Sequence, residues 1–234
     1  MEKFKRLSGE NRLLIFGIPV LVIVAVVGWL IWHATADLDE IEARTLELNS
    51  VATLAWEHLV LVIVSALLVI ATAIPLGIVL TRQSTQFLAP VVKAIANIGQ
   101  AAPVVGVIVL LAIWLGFGTP VAILGLWFYA FLPVLANVIA GLRGVDKQLI
   151  EAAHGLSMSP FQVLMKVELP LALPVIMNGV RTSLVLLVGA GAFATFIDAG
   201  GLGGLITSGI NLYRNPILTS WLWTRDRRRI DPAR

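Results

Sequence analysis

Residues 94 to 142 contain no Asp, Glu, Lys or Arg, and this is one of several such runs. Leu13–Ala36 and His58–Thr81 are also free of charge, and Leu169–Ile197 carries Arg181 alone. A spanning helix needs roughly 20 apolar residues, so the run from 94 to 142 holds two. Its division falls at Gly116-Phe117-Gly118-Thr119-Pro120, where glycines favour a turn and proline suits the first position of a new helix. Spans are expected near 13–33, 57–80, 92–115, 120–142 and 171–197. Backbone groups in lipid must be satisfied within each segment, so each span is read as a helix. Composition agrees: 58% of the chain is hydrophobic and 13% charged, with a mean hydropathy of +0.91. Soluble domains carry about 25% charge, and half of that leaves too few polar groups for a water-facing surface. The expected fold class is all-α, a polytopic membrane helical bundle. The absence of cysteine excludes disulfides, thiolate metal sites and cysteine nucleophiles. His33, His58 and His154 lie far apart in sequence, so no metal site is expected.

The flanks orient the bundle. Residues 1–12 hold Lys3, Lys5, Arg6 and Arg12 against Glu2 and Glu10, whereas Asp37, Asp39, Glu40, Glu42 and Glu47 face only Arg44 in the next connection. By the positive-inside tendency, residues 1–12 are cytoplasmic, 13–33 form an additional N-terminal anchor and 34–52 an external acidic connection. Arg82, Lys93 and the segment from Arg143 to Glu168 then fall inside. The pI of 9.6 reflects this topology and not a basic stripe for nucleic acid. Ala34-Thr35-Ala36 imitates a signal-peptidase site. The preceding apolar run is longer than the roughly 7–15 residues of a signal core, so it reads as a retained anchor. Leu38, Ile41, Thr45 and Leu48 share one helical face, which predicts a short surface helix in the connection.

The segment from Arg143 to Pro170 is too polar to insert and carries strong local signals. Asp146 can cap a helix running through Ala153. Ser157-Met158 reads as a break. Ser159-Pro160-Phe161-Gln162 then presents an N-cap, a proline at the first helical position and a glutamine three residues after the cap. Phe161, Leu164 and Met165 form an apolar stripe, and Pro170 limits the helix. The product is a compact cytoplasmic helix-turn-helix suited to a partner's groove.

Glu151-Ala152-Ala153, Ser159-Pro160-Phe161-Gln162 and Val167-Glu168-Leu169-Pro170 resemble the EAA loop of permease subunits in binding-protein-dependent ABC importers. Ala96-Asn97-Ile98-Gly99-Gln100, Pro103, the stretch from Glu168 to Met177, Gly179-Val180-Arg181-Thr182 and Ala199-Gly200-Gly201-Leu202-Gly203 are similar to the quaternary-amine osmoprotectant branch. The resemblance covers about residues 53–215. It implies a type I ABC importer transmembrane domain over 53–215, with its coupling loop at 143–170, passing glycine betaine, carnitine, choline or proline. It also implies that the loop's helix docks on an ATP-binding subunit. The loop residues so assigned are Glu151, Ala152, Ala153, Gly155, Ser157, Pro160, Phe161, Leu164, Leu169 and Pro170, with Glu151 foremost. The implied partners are that ATPase, an external solute-binding protein, and a second permease copy or paralogue. The implied location is the bacterial or archaeal cell (inner) membrane. No lysine follows a glycine, so the phosphate-cradling G-x-x-x-x-G-K-[ST] loop is absent. The chain is therefore read as a transport subunit without cofactor, catalytic or metal site, with ATP and Mg on the partner.

Two positions depart from the family pattern: Ser157 stands where glycine is usual, with Gly155 nearby as a substitute bend, and Asp198 stands where a small residue is usual. Residues 216–234 form an atypical end. The 205–223 stretch holds Asn211, Arg214, Asn215 and Pro216, and the tail carries Arg225, Arg227, Arg228, Arg229 and Arg234. A central Arg costs about 2.5–3.5 kcal/mol on insertion scales. Two readings stay open: a last span carried by packing, or a last span largely lost.

Polar residues within spans face the bundle interior or a water-filled cavity. Asn97, Gln100 and Asn137 are candidates for the translocation path, with interhelical hydrogen bonding as the alternative. Arg181 is expected near the cytoplasmic rim, snorkelling, and Gly189 and Gly191 are expected to permit close helix packing. Trp29, Trp32, Trp56, Trp114, Trp221 and Trp223 read as interfacial anchors. An aromatic cage for a quaternary ammonium belongs, by resemblance, to the separate binding protein. The competing readings are an ABC permease for another solute such as an amino acid, an ion-coupled secondary transporter, and a membrane enzyme. The second normally needs buried relay groups, and the third a nucleophile–base pair.

Overall fold

Helices account for every regular element among the described residues, 9–212 of a computed structural model. In chain order they are α1 (Gly9–Thr35), α2 (Glu40–Thr45), α3 (Leu48–Val79), α4 (Ala89–Ala101), α5 (Val104–Leu115), α6 (Thr119–Arg143), α7 (Lys147–Gly155), α8 (Pro160–Val163), α9 (Leu169–Ala190) and α10 (Gly203–Asn211). The chain divides into two compact units. One comprises residues 51–204; the other, among the described residues, runs up to Ser50 and resumes at Leu205.

The smaller unit holds α1 and the acidic connection. The expected surface helix exists as α2, closed by an Asp39–Glu42 capping box. Its shared apolar face is not what it buries. Ile41 and Leu48 are exposed, while Glu42 and Leu46 are buried. The anchor is His33, whose Nε2 donates to the Leu46 carbonyl oxygen at 2.9 Å. That bond joins the end of α1 to the end of α2.

The larger unit is built around α6, which packs antiparallel on α9. Close approach of these helices needs small residues at the contact. A Cβ on Gly141 would lie 3.1 Å from the Ala172 carbonyl oxygen, and one on Gly179 would lie 2.7 Å from that of Pro133. Ser183 Oγ donates to the Ala130 carbonyl oxygen at 3.0 Å. α3 joins through Gly77 against Val138 and through Trp127 Nε1, which donates to Thr72 Oγ1 at 2.9 Å. Gly191 sits against His58, as close packing requires, whereas a Cβ on Gly189 would meet nothing within 4 Å, so no close contact within this chain requires glycine there.

Residues 48–79, 119–143 and 160–197 are each long and apolar enough to cross a membrane. The expected single span over 92–115 is instead broken: the helix from Gln86 to Ala101 and α5 meet at 98°. Pro103 has no N–H to extend α4, and Ala102 takes extended angles (φ −68, ψ 143). The pair still traverses the unit. Beside its start, Arg82 pairs with Glu168 below α9, and just after its end Gly118 N–H donates to the Ile197 carbonyl oxygen at 2.8 Å at the opposite end of that span. Bent backbone at membrane depth is tolerated where protein buries it or water lines it.

Candidate functional site

The loop between α6 and α9 follows its local chemistry closely. Asp146 caps α7, its carboxylate accepting from the Gln148 N–H at 2.9 Å. α7 closes with Met158 N–H on the Ala153 carbonyl and Ser157 N–H on that of His154, which is the Schellman pattern. That pattern needs a left-handed residue, and Ser157 supplies it at φ 59. Gly155 remains helical, so the bend is not transferred to it. A left-handed non-glycine residue costs roughly 1–2 kcal/mol. Ser157→Gly is therefore expected to raise stability by about 1 kcal/mol, read as a higher unfolding midpoint in detergent.

α8 begins with the expected capping box: Ser159 N–H donates to Gln162 Oε1 at 2.9 Å and Gln162 N–H to Ser159 Oγ at 3.3 Å. A π-turn over Leu164–Glu168 then leads into α9, an insertion that often marks functional positions. Glu151, Ala152, Gly155, Ser157, Pro160, Phe161 and Pro170 are exposed, Ala153 is buried, and Leu164 and Leu169 are half-buried. Phe161, at 69% exposure, presents an apolar ring to the outside, and the charged Glu151 on α7 is exposed as well. Behind them lies an apolar groove of about 450 Å³ lined by Leu149, Ala152, Leu156, Met158, Val167 and Pro170, among others. A twice-capped hairpin with Phe161 and charged side chains exposed is suited to docking.

The sequence did not reveal what holds this hairpin to the bundle. Glu168, inside the π-turn, forms a two-pronged ion pair with Arg82 beyond the end of α3. Its side chain is 9% exposed against 40% for Arg82. The available signal was that both residues flank apolar runs, at ends expected on the same side of the membrane.

The polar residues expected along a path occupy different settings. Asn97 is exposed and Gln100 half-buried on α4, within two turns of the break at Ala102-Pro103. Asn137 is half-buried and donates from Nδ2 to the Pro133 carbonyl oxygen at 2.8 Å. Arg181 does not sit at the cytoplasmic rim: it is twelve residues beyond Leu169, the start of α9, and its side chain is exposed. A lone charge at bilayer centre costs about 2.5–3.5 kcal/mol on insertion scales, so protein or water must cover it.

At the other end of the bundle, the Ala199-Gly200-Gly201-Leu202-Gly203 segment folds over Glu57. Gly201 N–H donates to Glu57 Oε2 at 3.0 Å. Gly200 and Gly201 hold φ +78 and +90, and Gly200 presses against that carboxylate too closely for a Cβ. Asp198 precedes them at φ 58, a conformation Asp adopts more readily than most residues. No group of three or more His, Cys, Asp or Glu that could hold a metal ion occurs among the described residues. Trp56 and Trp114 are exposed near span ends, whereas Trp221, Trp223 and most of the 205–223 stretch lie outside the described residues.

Residues 73–224 match the family described as binding-protein-dependent transport system inner membrane component. The choline transport system permease protein OpuBB of Bacillus subtilis (strain 168) is 42% identical over 159 residues, covering 68% of this chain and 72% of that one. The carnitine transport permease protein OpuCB of Listeria monocytogenes is 40% identical over 163 residues, covering 70% and 74%. The osmoprotectant import permease protein OsmY of Salmonella typhimurium is 36% identical over 208 residues, covering 89% and 85%. Among solved structures, the inward-facing MetNI methionine ABC transporter gives a TM-score of 0.64 at 28% identity, covering 74% of this chain and 86% of that one.

Proposed function

The chain belongs to the family of binding-protein-dependent transport system inner membrane components, and from that premise we propose that this multi-pass permease imports a small quaternary-ammonium solute of the glycine betaine, carnitine or choline class. The cargo reading rests on the solutes named for its relatives at 36–42% identity. ATP and Mg²⁺ bind a separate ATPase subunit, and an external binding protein delivers the solute. Two permeases, identical or paralogous, enclose the path. Residues 13–33 add an anchor, and 34–52 an external connection, to the transport domain at 53–215.

The observation that carries the mechanism is the twice-capped hairpin from Lys147 to Glu168. It presents Glu151 and Phe161 outward and is tied to α3 through Arg82 and to α9 directly. ATP-driven closure of the ATPase pair moves the docked hairpins, and the ties carry that movement into the spans. Asn97 and Gln100, beside the break in the α4–α5 span, and Asn137 line the path.

The test is uptake of labelled glycine betaine after osmotic upshift in cells lacking their own betaine importers. The cells express the chain with its ATPase and binding protein, and a parallel set carries a hydrolysis-dead ATPase. Uptake that requires active ATPase supports the reading; its absence with all subunits inserted removes betaine as cargo. Glu151→Lys is expected to weaken co-purification of the ATPase at least about tenfold, since reversing a charge in a desolvated interface costs several kcal/mol. Membrane insertion is unchanged. Undiminished association would remove Glu151 from the interface.

A further inference from the structure

The register of α6 on α9 fixes the depth of Arg181. Gly179 lies against the Pro133 carbonyl oxygen, and Ser183 donates to that of Ala130. Arg181, between them, is therefore level with residues 130–133, the middle of α6 (Thr119–Arg143). Half of α6 is about 18 Å long at 1.5 Å per residue, and the hydrocarbon core is about 30 Å thick. The guanidinium thus starts from the bilayer midplane, too deep to reach either surface by snorkelling.

The face that carries it is not the packed one. Ile176, Gly179, Val180, Ser183 and Leu187 are buried, while Asn178, Arg181 and Thr182 are exposed together, at the spacing that groups side chains on one helix surface. Thr182 Oγ1 donates back to the Asn178 carbonyl oxygen at 2.9 Å. Arg181 has no hydrogen-bond or ion-pair partner among the described residues. Exposed Met177, Leu184 and Val185 flank this polar cluster on the helix, but an unpaired midplane cation is costly against lipid, and charged groups at this depth face cavities and mark solute pathways.

We propose that Arg181 lines the central aqueous path and receives the carboxylate of a zwitterionic solute as it passes, with Asn178 beside it. This rests on the cargo reading above. A planar guanidinium offers paired N–H donors matched to a carboxylate. Glycine betaine and carnitine carry such a group and choline does not, so Arg181 favours the zwitterions over choline. A site arranged to bond a polar group discriminates strongly against analogues lacking it.

The experiment uses the full complex, with ATPase and binding protein, in proteoliposomes. Because the chain has no cysteine, R181C is a unique thiol in the permease, and cysteine-free partners keep it unique in the complex. The expected results are modification of R181C by a water-soluble methanethiosulfonate, slowed by glycine betaine, and recovery of betaine uptake with an aminoethyl reagent but not with a sulfonatoethyl one. In Arg181→Gln the ratio of betaine to choline uptake falls at least about tenfold, and Arg181→Lys recovers part of it. Failure of R181C to react in the assembled complex would place Arg181 against lipid or the second permease and overturn the assignment. So would an unchanged uptake ratio, or equal recovery with both reagents. Wild-type uptake of neither solute would bring down the cargo reading together with this assignment, an outcome distinct from the others, in which wild-type uptake is intact.

Discussion

Replacing Gly179 with alanine is expected to destabilise the permease by about 3 kcal/mol or more, the upper end of what overpacking costs. The added Cβ would lie 2.7 Å from both the Pro133 carbonyl oxygen and Asn137 Cβ. Neither can move aside as a flexible side-chain tip would, because one is backbone and the other the root of a side chain. α6 and α9 must separate, which also strains the Ser183–Ala130 hydrogen bond one turn away. Gly189→Ala on the same helix is the control: its Cβ meets nothing within 4 Å. Exchanging a helical glycine for alanine there should stabilise the isolated subunit by about 0.8–1 kcal/mol. Unfolding midpoints of the two variants in one detergent separate a packing cost from a general effect of substitution. Equal midpoints would show that the α6–α9 contact is looser than its geometry implies.

Breaking the Arg82–Glu168 pair is the second large effect, and its two halves should not cost the same. Arg82→Ala leaves Glu168, 9% exposed, as an unpaired charge. Glu168→Ala leaves Arg82, 40% exposed, free to turn toward water. Removing one partner of a fully buried pair costs about 3–5 kcal/mol, and the partial exposure here lowers that to about 2–3 for Arg82→Ala and about 1 for Glu168→Ala. The double exchange R82E/E168R should recover part of the losses of R82E and E168R made singly, giving a coupling energy of about 1 kcal/mol or more in that double-mutant cycle. Strictly additive losses would mean that the two side chains act independently. Because this pair ties the hairpin between α6 and α9 to α3, Arg82→Ala is also expected to lower solute uptake per ATP hydrolysed at least about threefold. A fall in uptake with an unchanged transport-to-hydrolysis ratio would reduce the pair to a purely structural role.

Features that depend on neighbouring residues were legible in the chain. The expected span at 120–142 is α6, Thr119–Arg143, and that at 57–80 is contained in α3, Leu48–Val79, apart from its last residue. Both follow because a helix satisfies its own backbone and needs only a long enough apolar run. The Asp146 and Ser159 caps formed where their side chains could reach an N–H two or three residues on. The hairpin was recognisable for the same reason.

Features that depend on distant contacts were not. No Asp, Glu, Lys or Arg interrupts residues 94–115, so the charge pattern carries no sign of the 98° bend. Pro103 permits a break, but the direction follows from Phe128 against Gly99 on one limb and Ile108 against Gly125 on the other. Leu46 looked no different from the leucines around it until His33 bonded its carbonyl. Arg82 and Glu168 are 86 residues apart. Arg181 was visible as a charge within an apolar run, but its depth and its unpaired state became clear only once Gly179 and Ser183 set the register against α6. The amino-acid sequence by itself determined which segments leave water and where the helices are capped, since hydration and capping act over a few residues. Tertiary structure alone decided which span breaks, which charges pair and which face of α9 stays uncovered, because those outcomes are set by contacts between residues that only packing brings together.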